Sequence, residues 1–289
     1  MPLSIGVVVP NYNHARYLEE RLGSIGAQQR RPDRLVFLDD ASDDDSWAVA
    51  LPLLAALPCP VVTRRNRARV GRLLRQWQVG LDALDTDLVW IAESDDRALP
   101  GLLGALEAQL VRSPGAIFAF SDSAAIDSEG RRIAADNKAY YAALGDRVLG
   151  ADTVLDTGSF LARCLCPRNL VVNVSAVLWR RSALAEALAK IGSEAESWHN
   201  AADWRVYAQA CSAPGRVAYL ANPLNEHRRH GATVTAATPT TQQYGEVVRM
   251  LTLLRDLLGA EPERDAALRK QLAGFRRYWQ LPHGQEQAG

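Results

Sequence analysis

Between residues 4 and 125, short apolar runs alternate with longer segments whose apolar residues recur at helical spacing. That alternation is the pattern of βαβ units on a mostly parallel sheet, and so of an α/β fold. Strands are expected at Ser4 to Pro10, Leu35 to Leu38, Pro60 to Thr63, Leu88 to Ala92 and Ala116 to Phe120. Between them, Tyr17, Leu18, Leu22 and Ile25 mark one helix face, and Leu73, Leu74, Trp77, Leu81 and Leu84 another. Further strands are read at Leu170 to Trp179 and Val217 to Leu220, with helices at Arg181 to Lys190 and Ala201 to Cys211. From Asp122 to Pro167 the periodicity loosens, and long loops over one face of the sheet are expected there. Two amphipathic helices follow Thr240, separated near Glu261-Pro262.

The 289 residues carry 33 basic and 33 acidic side chains, so no overall field draws the chain to nucleic acid. Its apolar runs are far shorter than the roughly 20 residues of a membrane-crossing helix. The first residues read as a strand and not as a leader peptide, which makes a cytoplasmic enzyme the expectation. Four cysteines, Cys59, Cys164, Cys166 and Cys211, are too few for a disulfide scaffold and lack zinc spacing, so buried free thiols are expected.

Open parallel sheets bind ligands beyond the carboxyl ends of their strands. There the chain carries Pro10-Asn11-Tyr12-Asn13, Asp39-Asp40-Ala41-Ser42-Asp43 and Glu93-Ser94-Asp95-Asp96. Asn and Asp in such places are also ordinary turn formers and helix caps. The acidic clusters demand more, because adjacent carboxylates at an apolar strand end repel one another unless a ligand or cation intervenes. A divalent ion is the natural compensating charge: Mg²⁺ and Mn²⁺ take carboxylate oxygens together with those of a diphosphate. No glycine-rich dinucleotide fingerprint and no P-loop occurs, which speaks against a nicotinamide dehydrogenase or a P-loop ATPase.

These three blocks, in this order and spacing, resemble the family 2 glycosyltransferases of GT-A fold. The similarity continues through Phe118 to Asp122, Asn173 to Val177, Ala202-Asp203-Trp204 and Pro223 to His230, covering roughly residues 4 to 235. It implies a GT-A-type mostly parallel sheet flanked by helices over residues 1–240, with residues 241–289 as a C-terminal helical extension. It further implies an inverting enzyme that moves a sugar from a nucleotide-diphosphate donor to a hydroxyl of a glycan or lipid-linked acceptor, with Mn²⁺ or Mg²⁺.

Carried over by position, Pro10, Asn11, Tyr12, Asn13 and Asp40 would hold the nucleotide, with Asp40 facing the base. Asp95 would reach the ribose or the metal shell, Asp96 would bind the metal, and His230 would add a metal or diphosphate contact. Asp203 stands where the family places its general base. Arg228 beside the site suits a diphosphate, since guanidinium forks match phosphate oxygens. Of the six arginines between Arg64 and Arg75, Arg72 is the one expected to reach the nucleotide. The family's Asn-x-Gly element is replaced here by the longer Asn66 to Gly71.

The stretch Asp122 to Pro167 would close over the sugar as a lid, with Tyr140 and Tyr141 available to stack on a ring. The C-terminal helices have three readings: packing on their own domain, a homodimer contact, or a peripheral contact with the inner membrane face. A nucleotidyltransferase of related topology and a non-catalytic sugar-nucleotide binder are the alternatives. The first lacks its Gly-rich turn; retention of Asp95, Asp96 and Asp203 together argues against the second.

Overall fold

The structure is a computed structural model and describes residues 3–143, 147–166, 168–231 and 238–281. Its first half follows the expected alternation: β1 (Ile5–Asn11), α1 (Ala15–Gly26), β2 (Arg34–Asp39), α2 (Ser46–Ala55), β3 (Val61–Arg65), α3 (Leu73–Asp82) and β4 (Leu88–Ile91). A two-residue strand β5 (Arg97–Ala98), helix α4 (Leu102–Arg112) and the long β6 (Ala116–Ile126) come next. β7 (Arg132–Ala134), α5 (Lys138–Ala143), β8 (Thr153–Asp156) and α6 (Thr157–Phe160) lead to β9 (Val177–Arg180). The chain ends with α7 (Arg181–Ile191), α8 (Ala202–Ala210), β10 (Arg216–Arg228), α9 (Thr240–Leu258) and α10 (Pro262–Tyr278).

One mixed sheet runs β3-β2-β1-β4-β9-β6-β10-β5, with β7 on β6 and β8 on β10. β3, β2, β1 and β4 are mutually parallel, as are β6 and β10, and β9 is inserted antiparallel between β4 and β6. The period-2 pattern of β1 divides the core. Ile5, Val7 and Val9 face a layer built from α1, α2 and α4, while Val8 faces the opposite layer, to which α3, α7 and α8 contribute. Both faces are therefore covered, and polar groups gather at the carboxyl ends of β1, β2 and β4.

Helix α3 lies so close to β1 that a methyl group on Gly80 would run into the Val8 side chain. Alanine in a helix is favoured over glycine by roughly 1 kcal/mol. Overpacking in a closed core costs about 1–3 kcal/mol. The clash should win, so Gly80→Ala is expected to lower the urea midpoint at unchanged m-value.

Two expectations need correction. The stretch after Asp122 does not form loose loops. Its short elements bury Tyr141, Leu149, Phe160, Leu161 and Cys164 in the main core. Irregularly spaced apolar residues joined by tight turns fill that core without a period to read. Residues 144–146 and Pro167 of this stretch lie outside the described residues. The strand read over Leu170 to Trp179 is confined to β9, because Asn173 and Ser175 turn inward to bond a carboxylate at the site.

Cys164, Cys166 and Cys211 are buried and Cys59 is half-buried, none of them in a disulfide. The apolar faces of α9 and α10 pack on their own domain: Val247, Met250, Leu251, Leu254, Leu268 and Phe275 join the same core as α8. Among the described residues no helix is long and apolar enough to cross a membrane.

Candidate active site

The β1 and β2 turns are locked to each other. Asn11 Nδ2 donates to Asp39 Oδ1 at 2.8 Å, and Ser42 Oγ donates to the same oxygen at 2.6 Å. The Asn13 backbone N–H donates to Ser42 Oγ at 3.0 Å. Asn13 and Ala41 both sit in the left-handed region, at φ 55° and 58°. For alanine that conformation costs roughly 1–2 kcal/mol, and the bonds from Ser42 to Asp39 hold it in place. Asn11, expected as a ligand contact, braces the turn through its Nδ2 and also lines the adjoining cleft.

Asp40 lines the adjoining cleft, yet its carboxylate already accepts from Asn66 Nδ2 (2.6 Å), Val70 N (2.9 Å), Gly71 N (2.8 Å) and Gln76 Nε2 (3.1 Å). Those donors fill the roughly four acceptor positions of a carboxylate. Asp40, expected to face the base, thus anchors the Asn66 to Gly71 loop. Gly71, at φ +63°, makes the turn possible.

The cleft has a volume of about 420 Å³ and is also lined by Pro10, Tyr12, Asn13 and Arg72. The Arg69 guanidinium stacks 3.9 Å from the Tyr12 ring centroid. Arg72 Nη1 donates to His199 Nε2 at 2.6 Å.

At the end of β4 the three acids have different surroundings. Asp96 is 1% exposed, and its oxygens accept from Asn173 Nδ2 (2.8 Å), Ser175 Oγ (2.6 Å) and the Arg228 backbone N–H (2.9 Å). Asp95 instead meets His230, whose Nε2 lies 3.0 Å from Asp95 Oδ2. Potential ligand atoms of His14, Asp95 and His230 all lie within 4.8 Å of one another. Two imidazoles and a carboxylate could hold a divalent transition-metal ion, the carboxylate suiting Mn²⁺ and the imidazoles suiting softer ions such as Zn²⁺ or Fe²⁺ as well. Of the two neighbours, Asp95 has the company that could hold a cation, while Asp96, expected to bind the metal, accepts from three protein donors.

Burial lowers the His14 imidazole, which favours the neutral form that binds metals. Burial would raise Asp95, but the His230 hydrogen bond and the two imidazoles outweigh it and hold the carboxyl below its usual value. Burial, with Asp95 and Asp96 beside it, pushes Glu93 up to about 8, so at neutral pH it is largely protonated and adds little charge.

Arg228 departs from its expected role as a diphosphate contact. Its side chain is buried, with Nε on the Asp95 carbonyl (2.7 Å), Nη1 on the Asp127 carbonyl (3.0 Å) and Nη2 on Glu20 (2.8 Å). The guanidinium thereby joins β10 to the Asp95 main chain, to the turn at Asp127 and to α1. A second buried cation, Arg21, donates from Nε to the Glu93 carbonyl at 2.8 Å and packs over Trp90. Burial brings it down to about 10 against the pull of Asp96, Asp95 and Glu93, so it stays charged and offsets the acids from behind.

Asp203 opens α8. It accepts from Asn169 Nδ2 at 3.0 Å, and burial lifts its carboxyl to about 6 against the pull of the Trp204 backbone N–H and Asn169. A cavity of about 200 Å³ is lined by Asp203 together with Glu93, Asp95 and Asp96. Glu93, Asp95 and His199 also line the 420 Å³ cleft, so the two spaces adjoin. Residues some hundred positions apart in sequence are brought to one site.

Sequence reasoning missed His14, Arg21, Asn173 and Ser175. Arg21 carried a signal, since it falls on the apolar face set by Tyr17, Leu18 and Leu22, where a charge needs a partner. His14 follows the Pro10 to Asn13 turn directly but looked like the first residue of a helix.

The doubly covered sheet, the cleft beyond its strand ends and the acid cluster define a GT-A-type glycosyltransferase. The model of glycosyl transferase family 2 matches residues 6–164 of this chain, and the chain belongs to that family. An uncharacterized glycosyltransferase of Nostoc sp. is 24% identical over 250 residues, spanning 83% of this chain and 70% of the relative. Among solved structures, S. aureus TarS residues 1–349 in complex with UDP-GlcNAc superposes with TM-score 0.66 at 15% identity, over 96% of this chain and 73% of that one. The mannosyltransferase PcManGT of Pyrobaculum calidifontis, in complex with GDP-Man and Mn²⁺, gives 0.59 at 14%, over 99% and 77%. At such identities the two structures speak to the fold.

Proposed function

We propose that the chain is an inverting glycosyltransferase that takes a nucleotide-diphosphate sugar in the 420 Å³ cleft and transfers the sugar to an acceptor hydroxyl. The observation that carries this reading is the cavity that Asp203, a carboxyl of raised pKa, shares with Asp95, a member of the candidate metal trio. The neighbours that bind UDP-GlcNAc and GDP-Man support the donor class.

In this reading Tyr12 with Arg69 offers a stacking surface for the base, and Arg72 a cation for the phosphates. His14, Asp95 and His230 would hold a divalent ion, which when bound supplies positive charge to the leaving diphosphate. Asp203 takes the acceptor hydroxyl proton as the acceptor oxygen bonds the anomeric carbon and the bond to the diphosphate oxygen breaks, inverting that centre. A carboxyl raised to about 6 is a better base than an ordinary one while remaining ionised at pH 7. Residues 1–240 are read as the transferase unit and 241–289 as its extension, with residues 282–289 outside the described part.

A thermal-shift screen of UDP- and GDP-sugars with and without Mn²⁺ tests the donor site. A bound donor should raise the melting temperature more with the metal than without it, by mass action. No shift with any nucleotide sugar would remove the donor cleft from the reading.

A further inference from the structure

Behind Asp203, on the side away from the acid cluster, lies a larger cavity of about 540 Å³. Asp203 and Asn200 line both this space and the 200 Å³ cavity, so the two meet at the carboxylate. The C-terminal helix builds one wall. Phe275 of α10 stacks on Trp279 just beyond it, with centroids 5.3 Å apart and planes at 18°, and Tyr244 of α9 meets Trp279 edge-on. Tyr140 and Trp204 add further rings, and Trp204 Nε1 is already bonded to the Leu165 carbonyl.

Two buried polar atoms among the lining residues lack a hydrogen-bond partner: Arg168 Nε, a donor, and Asn200 Oδ1, an acceptor. Leaving such atoms unmet costs about 1–3 kcal/mol each. Among the described lining residues Arg168 is the single cation, with its guanidinium 4.6 Å from Phe275 and 5.8 Å from Tyr140.

We propose that this cavity is the acceptor subsite, and that it takes a sugar ring bearing an anionic substituent, the ring stacking on the Trp279 wall and the anion meeting Arg168. The inference rests on reading Asp203 as the general base, since the base must touch the attacking hydroxyl. Rigid aromatic rings present flat apolar faces that match the C–H face of a pyranose. Arg168, whose guanidinium lines the cavity, supplies the cation that a carboxylate or phosphate would pair with. An acyl chain in the same space would leave the Arg168 guanidinium without an anion, which disfavours a lipid tail here.

The test is binding of methyl glucuronoside and methyl glucoside to the full chain, read by calorimetry and saturation-transfer NMR, with UDP and GDP plus Mn²⁺ titrated in parallel. The glucuronoside should bind more tightly than the glucoside. Trp279→Ala should weaken both about three- to tenfold, with Trp279→Tyr recovering most of the loss. Arg168→Gln should erase the preference for the acid. Equal binding of the two sugars, binding of neither, or binding indifferent to Trp279→Ala overturns the proposal. Nucleotide binding separates the two readings. If UDP and GDP fail to bind while the glucuronoside responds to Trp279→Ala, the donor reading falls and the sugar subsite stands. If nucleotide binds normally and the sugars ignore Trp279, the subsite alone falls.

Discussion

Asp203→Asn is expected to reduce transfer by a factor of between about 10² and 10⁴, the usual contribution of a positioned general base, with nucleotide-sugar affinity within a few fold of the parent. The amide keeps the size and the acceptor oxygen that faces Asn169 Nδ2, so the N-terminus of α8 should stay in place. What it loses is the ability to take a proton. The pH profile gives an independent check. Burial raises the carboxyl to about 6, and only the ionised form can act as a base, so turnover should be fully developed above that pH and fall as pH drops through it. The residual activity of Asp203→Asn should lack this acid limb. Turnover close to the parent value, or an acid limb that survives the substitution, would take Asp203 out of the base role and leave the shared cavity without its chemistry.

The sequence-to-structure comparison divides along physical lines. Strands β1, β2 and β4 were legible because each is an uninterrupted apolar run closed by a polar cluster, and period and punctuation agree there. β9 was not, because the apolar run before it contains Asn173 and Ser175, whose side chains serve a carboxylate and not a ladder. The family motifs pointed to the strand ends that line the two clefts. They could not divide labour between adjacent acids, since Asp95 and Asp96 share a backbone environment and differ only in which groups approach them from β10, from the turn after β1 and from the segment before β9.

Arg228 illustrates the same limit: a cation near a predicted diphosphate reads as a ligand until Glu20 and two main-chain carbonyls are found to have claimed it. The stretch after Asp122 was illegible for a different reason. Its core residues are held by turns and short helices, so each is buried singly and no periodic signal survives.

The division between Asp95 and Asp96 carries the second large effect. Asp95→Ala removes the single anionic group from the His14, Asp95 and His230 trio. Loss of groups that merely support a metal ligand already costs tenfold to a hundredfold in affinity, so loss of the ligand should weaken Mn²⁺ binding by at least about a hundredfold. Electron paramagnetic resonance of free Mn²⁺, titrated with protein in the presence of UDP, reads this directly without any turnover. Asp96→Asn should behave differently. It puts an N–H₂ group where the carboxylate accepted from Asn173, Ser175 and the Arg228 backbone, so a buried donor goes unmet at a cost of about 1–3 kcal/mol. The loss should show as a lower urea midpoint, while the folded fraction keeps Mn²⁺ affinity near the parent value. Because the acid cluster is braced by Arg228 through the same residue, some loosening of His230 is expected, and His230→Ala provides the scale for it. If Asp96→Asn abolished Mn²⁺ binding at full stability while Asp95→Ala left it intact, the metal would belong on Asp96, and the inward hydrogen bonds of that carboxylate would have to open when the donor binds.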